Sequence, residues 1–167
     1  MDYSKIGIGS EAHHIPFNKP SFREIFMNMA NEISRRSSDA ETQHGAIFVK
    51  DNKILTVGYN GWPAGSKDDE IPNIRLDGFK YLYVIHAESN GIIDAARRGI
   101  SLIDSTLYVT GRPCFECAKK LIQVGCKNWI IGGKGHVETE QQQLVFNYLV
   151  ETHNVTITEY DYKYPEL

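Results

Sequence analysis

Cysteine is scarce: 3 of 167 residues, an odd number that does not suit the paired disulfide framework of a small secreted scaffold. Long apolar runs are missing as well, and stretches such as Trp129-Ile130-Ile131 fall far short of the ~20 residues that cross a bilayer. The opening Met1-Asp2-Tyr3-Ser4-Lys5 lacks the apolar core of a secretory signal, so a cytoplasmic, membrane-free protein is expected. There is no surplus of positive charge. With 18 Lys and Arg against 21 Asp and Glu the net charge is −3, which argues against a general nucleic-acid binder, because polyanion affinity comes mostly from excess Lys and Arg. A small anionic ligand stays open, since a phosphate needs only a few local donors. The basic doublets Arg35-Arg36, Arg97-Arg98 and Lys119-Lys120 read as solvated helix faces. Repeats and low-complexity tracts are absent, and 41% hydrophobic with 23% charged residues is the balance of an ordinary globular chain. One domain over 1–167 is expected, its first 20 residues an irregular arm carrying Pro16, Pro20 and His13-His14.

What is present is a pattern of alternating elements. Ser21-Phe22-Arg23-Glu24 offers a capping box, and Phe22, Ile25, Phe26, Met29 and Ile33 follow at helical spacing, which predicts a first helix ending near Ser37-Ser38-Asp39. Strands over 45–49 and 54–57, joined at Asp51-Asn52, predict an antiparallel hairpin. From Gly58 to Gly78 the glycines and prolines predict a long loop, the kind of segment that tends to carry function. Beyond it come a helix over 86–98, a strand over 106–110, a helix over 114–124, a strand over 129–132, a helix over 139–150 and a strand over 155–158. Helices interleaved with short strands predict an α/β three-layer sandwich, a mixed sheet of about five strands covered on both faces.

Chemistry concentrates at two of the predicted helix starts. Pro113-Cys114-Phe115-Glu116-Cys117 places two sulfurs three residues apart, on one face of a first turn, where the free amides and the positive helix end favour thiolate over thiol. His86-Ala87-Glu88 opens another helix with one strand between the two. Two thiolates and a neutral imidazole make the three-ligand set of catalytic zinc, with a fourth position for water, whereas structural zinc usually has four protein ligands. Zn2+ lowers the pKa of such a water from 15.7 to roughly 7, and Glu88 is available to carry its proton. Residues two apart on a regular helix diverge, so His86 and Glu88 can share a cavity only at an irregular helix start. Alone, a Cys-x-x-Cys is often a redox pair or half of a structural zinc site, and a His-x-Glu a core histidine beside a surface acid. Cys126 reads as a packing residue, and His44, His136 and His153 as solvent or core contacts.

Together, His-x-Glu followed by Pro-Cys-x-x-Cys is the signature of zinc deaminases. His86-Ala87-Glu88-Ser89-Asn90 and Arg112-Pro113-Cys114-Phe115-Glu116-Cys117-Ala118-Lys119 resemble the two motifs of the cytidine deaminase superfamily. Within it, Ser34-Arg35-Arg36-Ser37-Ser38-Asp39 leading to Gln43-His44-Gly45-Ala46, and Val57-Gly58-Tyr59-Asn60-Gly61 with Pro63 and Gly65, are similar to parts of the deoxycytidylate (dCMP) deaminases, including phage members. The resemblance covers about 22–159. It implies hydrolysis of dCMP to dUMP and ammonia with catalytic Zn2+ on His86, Cys114 and Cys117. Glu88 would move the proton from water to the ring nitrogen and later to the departing amine. Asn60 would meet the deoxyribose, with Ser37, Gln43 and Ala87 near the nucleotide. The resemblance also implies an allosteric site at Gly58, Tyr59, Asn60, Gly61 and Gly65, where dCTP with Mg2+ activates and dTTP inhibits, and a homo-oligomer, hexameric in many members. Two positions depart from the family pattern. Lys134-Gly135-His136 replaces a Lys-Tyr-His whose tyrosine stacks on the base, which leaves His136, Tyr160, Tyr162 or Tyr164 to supply that ring, or a smaller loop that admits a 5-substituted cytosine. Gly91 stands where alanine is usual, a matter of packing.

Two rivals follow from the same residues: a deaminase of this fold acting on nucleosides or nucleic acid, and a non-catalytic zinc module whose cysteine pair staples a binding domain.

Overall fold

Asp51 and Asn52 both adopt left-handed φ, 51° and 58°, as a two-residue type I′ turn requires and as Asp and Asn tolerate. They close an antiparallel hairpin between β1 (Gly45–Lys50) and β2 (Lys53–Tyr59). The computed structural model describes residues 18–67, 80–133, 135 and 138–161. Around the hairpin lie α1 (Phe22–Ser34), α2 (Lys80–Tyr83), α3 (Ala87–Arg98), β3 (Thr106–Val109), α4 (Phe115–Gln123), β4 (Asn128–Ile131), α5 (Glu140–Thr152) and β5 (Thr156–Glu159). The five strands form one sheet in the order β2-β1-β3-β4-β5. Strand β1 is antiparallel to both its neighbours, while β3, β4 and β5 are parallel.

Alternation along the strands sorts the core onto two faces. Ala46, Phe48, Leu107, Val109, Trp129 and Ile131 pack with Ala87 and Ala95 of α3, Ala118 and Leu121 of α4, and Phe146 of α5. Their neighbours Ile47, Val49, Tyr108 and Ile130 meet Phe26, Met27 and Ala30 of α1. This is the expected sandwich of helices on both faces of a mixed α/β sheet. Among the described residues no helix is long and apolar enough to cross a membrane.

Four boundaries differ from the sequence-based expectation. Helix α1 stops at Ser34, and Arg35, Arg36 and Ser37 continue as turns whose amides reach back to Glu32, Ile33 and Ser34. Strand β2 runs on through Gly58 and Tyr59, so the loop starts at Asn60. The four-residue α2 sits where no helix was expected. Finally, His86 and Cys114 precede their helices as N-caps instead of belonging to them. The 1–20 arm, the 68–79 part of the loop with Pro72 and Gly78, and Lys134, His136, Tyr162 and Tyr164 lie, apart from 18–20, outside the described residues.

Register fixes where the site falls. Tyr59 pairs with Gly45, Ala46 with Val109, and Val109 with Ile131, so the C-terminal ends of β2, β3 and β4 share one edge of the sheet, the edge where open α/β sheets bind ligands. Helix α3 is held there by the Asn90 amide, which donates to the Tyr59 carbonyl at 2.7 Å. Gly58 permits the approach, since a Cβ at that position would lie 2.1 Å from the Ala87 carbonyl oxygen.

Candidate active site

His86 has extended backbone (φ −69°, ψ 154°) and Cys114 nearly the same (φ −73°, ψ 166°). Each is an N-cap, and this solves the problem that residues two apart on a helix diverge. His86 is off the helix, so its ring and the first-turn Glu88 can face one space. Cys114 acts as a true cap: its Sγ accepts from the Cys117 amide at 3.4 Å, taking one of the orphan donors at the start of α4.

The His86 Nδ1 stands 3.4 Å from Cys114 Sγ and 3.5 Å from Cys117 Sγ, and the three donor atoms all lie within 4.8 Å of one another. A tetrahedral zinc ion with Zn–S near 2.3 Å and Zn–N near 2.05 Å sets its sulfur and nitrogen donors about 3.6 Å apart. The donor set therefore fits Zn2+ in both chemistry and spacing, and Nδ1 is the imidazole atom that would bind it. His86, Cys114 and Cys117 form the one such group of three among the described residues.

Electrostatics favour a thiolate at the start of α4. The Cys114 thiol is pulled well below its ordinary range, first by the hydrogen bond from Cys117 and then, against burial, by His86. The same hydrogen bond and burial push Cys117 up. A hydrogen bond to Cys114 raises His86 despite its burial. Glu88 is 5% exposed, and burial lifts its carboxyl above the usual range while the charge of His86 opposes the rise. A raised carboxyl beside an activated water is what a proton shuttle working near neutral pH needs.

Two buried polar side chains, Glu138 and Asn60, hold the frame. Glu138, its side chain 1% exposed, accepts from the Phe115 amide at 2.8 Å and from Arg112 Nη2 at 2.5 Å, clamping both flanks of Pro113-Cys114. Arg112 also stacks its guanidinium 4.2 Å from the centre of the Phe146 ring. On the other side Asn60, 4% exposed, accepts from the His44 amide at 2.7 Å through Oδ1 and donates to the Thr42 carbonyl at 2.7 Å through Nδ2. Its side chain thus shapes the segment that carries Gln43 and His44. Glu138 belongs to no motif and lies 23 positions from Phe115, so its role shows only in the fold.

The remaining expected residues are scattered around this edge. Gln43 and His44 line a cleft of about 410 Å³ together with Asn31, Ser34, Arg35, Thr110 and Gly132, and His44 Nδ1 lies 3.1 Å from Thr110 Oγ1. Ser37 is half-buried and accepts from the Asp39 amide, while Ala87 is wholly buried in the first turn of α3. Of the residues expected to take an effector, Gly58, Asn60 and Gly61 are buried, Tyr59 is half-buried, and Gly65 sits on an exposed turn with φ 92°. Gly61 exchanges both backbone hydrogen bonds with Ile85, next to His86. Tyr160 packs with the cluster under α1, and His136 lies outside the described residues. Cys126 is fully buried in the core.

Fold and site together define a class: α/β-sandwich metalloproteins whose cation is held by three side chains beside a buried carboxyl group. Residues 20–133 match the family model described as the cytidine and deoxycytidylate deaminase zinc-binding region. The chain is 43% identical over 128 residues to a probable deoxycytidylate deaminase of Caenorhabditis elegans, a match covering 74% of this chain and 64% of that one. It is 42% identical over 113 residues to the deoxycytidylate deaminase of Pongo abelii, covering 64% and 62%, so the chain spans just under two thirds of the length of both relatives. The crystal structure of the dCMP deaminase from the cyanophage S-TIM5 in complex with dCMP and dUMP superposes with a TM-score of 0.71 at 27% identity, covering 86% of this chain and 100% of that one. This chain belongs to the cytidine and deoxycytidylate deaminase family.

Proposed function

We propose that this protein hydrolytically deaminates dCMP to dUMP and ammonia. The observation that carries the reading is the cluster of His86 Nδ1, Cys114 Sγ and Cys117 Sγ at zinc-donor spacing next to buried Glu88. Support for dCMP as substrate comes from the relatives' names and from the similar cyanophage enzyme solved with dCMP and dUMP.

Zinc held by these three residues would supply Lewis acidity, making hydroxide available near neutral pH. The rest is done by the chain. Glu88 takes one proton of the attacking water and passes it to the ring nitrogen of cytosine, then takes the second from the hydroxyl now on C4 and gives it to the amine, which leaves as ammonia while the C4–O bond becomes the carbonyl. Burial raises the carboxyl above its usual range and so makes it a better proton acceptor, while the charge of His86 opposes that rise. Ser37, Gln43, Ala87 and His136 form the nucleotide side of the site in this proposal. Asn60 sets the segment on the deoxyribose side through its bonds to His44 and Thr42.

The proposal extends to control and assembly. It places dCTP with Mg2+ as activator and dTTP as inhibitor on the Gly58 to Gly65 segment, in a cytoplasmic homo-oligomer with a hexamer favoured. The exposed Gly65 turn supports this, because glycine-rich turns present backbone amides to phosphate.

Ammonia release from dCMP, cytidine and single-stranded DNA, each with and without dCTP and dTTP, tests the whole. Turnover of dCMP alone is expected. Turnover confined to cytidine or DNA overturns the substrate, absence of any turnover by zinc-loaded protein overturns the enzyme, and indifference to both nucleotides overturns only the regulation.

A further inference from the structure

The two candidate cysteine ligands are supported differently. Cys114 Sγ takes a backbone amide. Cys117 Sγ instead faces a side chain, the buried Ser89 hydroxyl, at 3.7 Å. Ser89 Oγ in turn lies 3.0 Å from Lys120 Nζ. An ammonium can only donate, so Lys120 donates to Ser89, and toward a cation-bound thiolate, which carries no hydrogen, the single hydroxyl hydrogen of Ser89 is the donor. Spacing along the helices makes the arrangement natural. Lys120 is three residues beyond Cys117 on α4, on the same face, and Ser89 is three beyond the N-cap His86, where α3 meets α4.

Charge gives the arrangement a purpose. Two thiolates neutralise a divalent cation, and an ionised Glu88 then leaves a net negative charge in a buried site. The Lys120 ammonium, reaching in through Ser89, offsets it. Hydrogen bonds assisted by charge are the strong ones, and partners that stand behind metal ligands tune metal affinity.

We propose that Lys120 and Ser89 form a donor chain, ammonium to hydroxyl to Cys117 thiolate, that sets how tightly the site holds its cation. Lys120 and Ser89 are positioning residues here, and the inference rests on the zinc reading given above. It also revises the expectation that the Lys119-Lys120 doublet is only a solvated face: Lys119 pairs with Glu116 on the surface, while the exposed Lys120 reaches Ser89 with its ammonium.

Competition with a graded series of chelators, starting from zinc-loaded protein, tests it. Ser89→Ala is expected to weaken zinc roughly 10–100-fold, Lys120→Met by less, and the double variant no more than Ser89→Ala, because the two act in series. Ser89→Thr should restore affinity. In cobalt-substituted protein the sulfur-to-metal charge-transfer band should shift in Ser89→Ala and Lys120→Met, which a residue that merely packs would not produce. Lys120 is an exposed residue, so its variant is expected to fold even if Ser89→Ala does not. Wild-type zinc affinity and an unmoved cobalt band in Lys120→Met overturn the donor chain while leaving the zinc site intact. Failure of wild-type protein to bind zinc at all overturns the site itself.

Discussion

Lys80 Nζ lies 2.6 Å from Asp39 Oδ1, with the two side chains only 2% and 3% exposed. The pair joins α2 to the turn that precedes β1, and Asp39 completes that turn by accepting from the amides of Glu41 and Thr42. Removing one member of a buried ion pair strands the other, at a cost of about 3–5 kcal/mol. Lys80→Met should lose that much in urea unfolding, and adding Asp39→Asn should recover part of it, because the amide oxygen still serves the turn without a stranded charge. Burial lowers the Lys80 pKa, but its bonds to Asp39 and Glu41 outweigh burial and hold it above 10.5. A raised lysine stabilises fully below its unfolded value and loses that contribution as pH climbs through the folded one. Wild-type protein should therefore shed stability above about pH 10.5 more steeply than Lys80→Met, and parallel alkaline limbs would refute the pair's role.

Glu88→Gln removes the proton carrier and keeps the shape. The rate should fall about 10²–10⁴-fold with zinc content unchanged, measured by single-turnover kinetics and metal analysis on one preparation. A drop in bound metal would mean that Glu88 supports the cation site instead of moving protons.

Metal removal should sort the three thiols. Burial pushes Cys126 up to about 11, and its Sγ donates to the Ser105 carbonyl at 3.4 Å, so at pH 8 only about one molecule in a thousand carries its thiolate. Chelation should open Cys114 to a thiol reagent first and Cys117 more slowly, with Cys126 unreactive until the protein unfolds. Mass mapping of the labelled peptides over time reads the order, and early labelling of Cys126 would contradict it.

Local features of this fold could be read directly from the sequence. Asp51-Asn52 between alternating strands announces its hairpin, and the box expected at Ser21-Phe22-Arg23-Glu24 appears as the Ser21 N-cap of α1, whose hydroxyl accepts from the Glu24 amide. The donor set was equally legible, because ligand identity is a matter of residue type. Side-chain direction over long separations was not. Lys80 meets Asp39 from 41 positions away, and Lys120 meets Ser89 from 31, and neither pair leaves a periodic trace. Helix α2 has four residues, too few for an apolar period to show. Asn60 could be marked as important, yet only the fold shows its amide turned inward to Thr42 and His44. The convergence of His86 and Glu88 likewise depended on cap dihedrals that spacing does not encode.

Gly91 gives the most discriminating packing experiment. In the interior of a helix such as α3, replacing glycine by alanine ordinarily gains up to about 1 kcal/mol, so propensity alone predicts a more stable Gly91→Ala. Space predicts the opposite. An added Cβ would fall 2.5 Å from Phe48 Cε2 and 3.0 Å from Cδ2, and the Phe48 ring is wholly buried in the core. The helix has little freedom to lift away, since the Asn90 amide is bonded to the Tyr59 carbonyl and Thr56 Oγ1 lies 3.1 Å from the Gly91 carbonyl oxygen. Overpacking of this kind costs about 1–3 kcal/mol, which outweighs the propensity gain. Gly91→Ala should therefore destabilise wild-type protein by about 1 kcal/mol. In a Phe48→Leu background, where the ring edge is gone, the same change should stabilise. A thermodynamic cycle over the four proteins should return a coupling of about 1–3 kcal/mol, and additivity would show that the helix, not the ring, gives way.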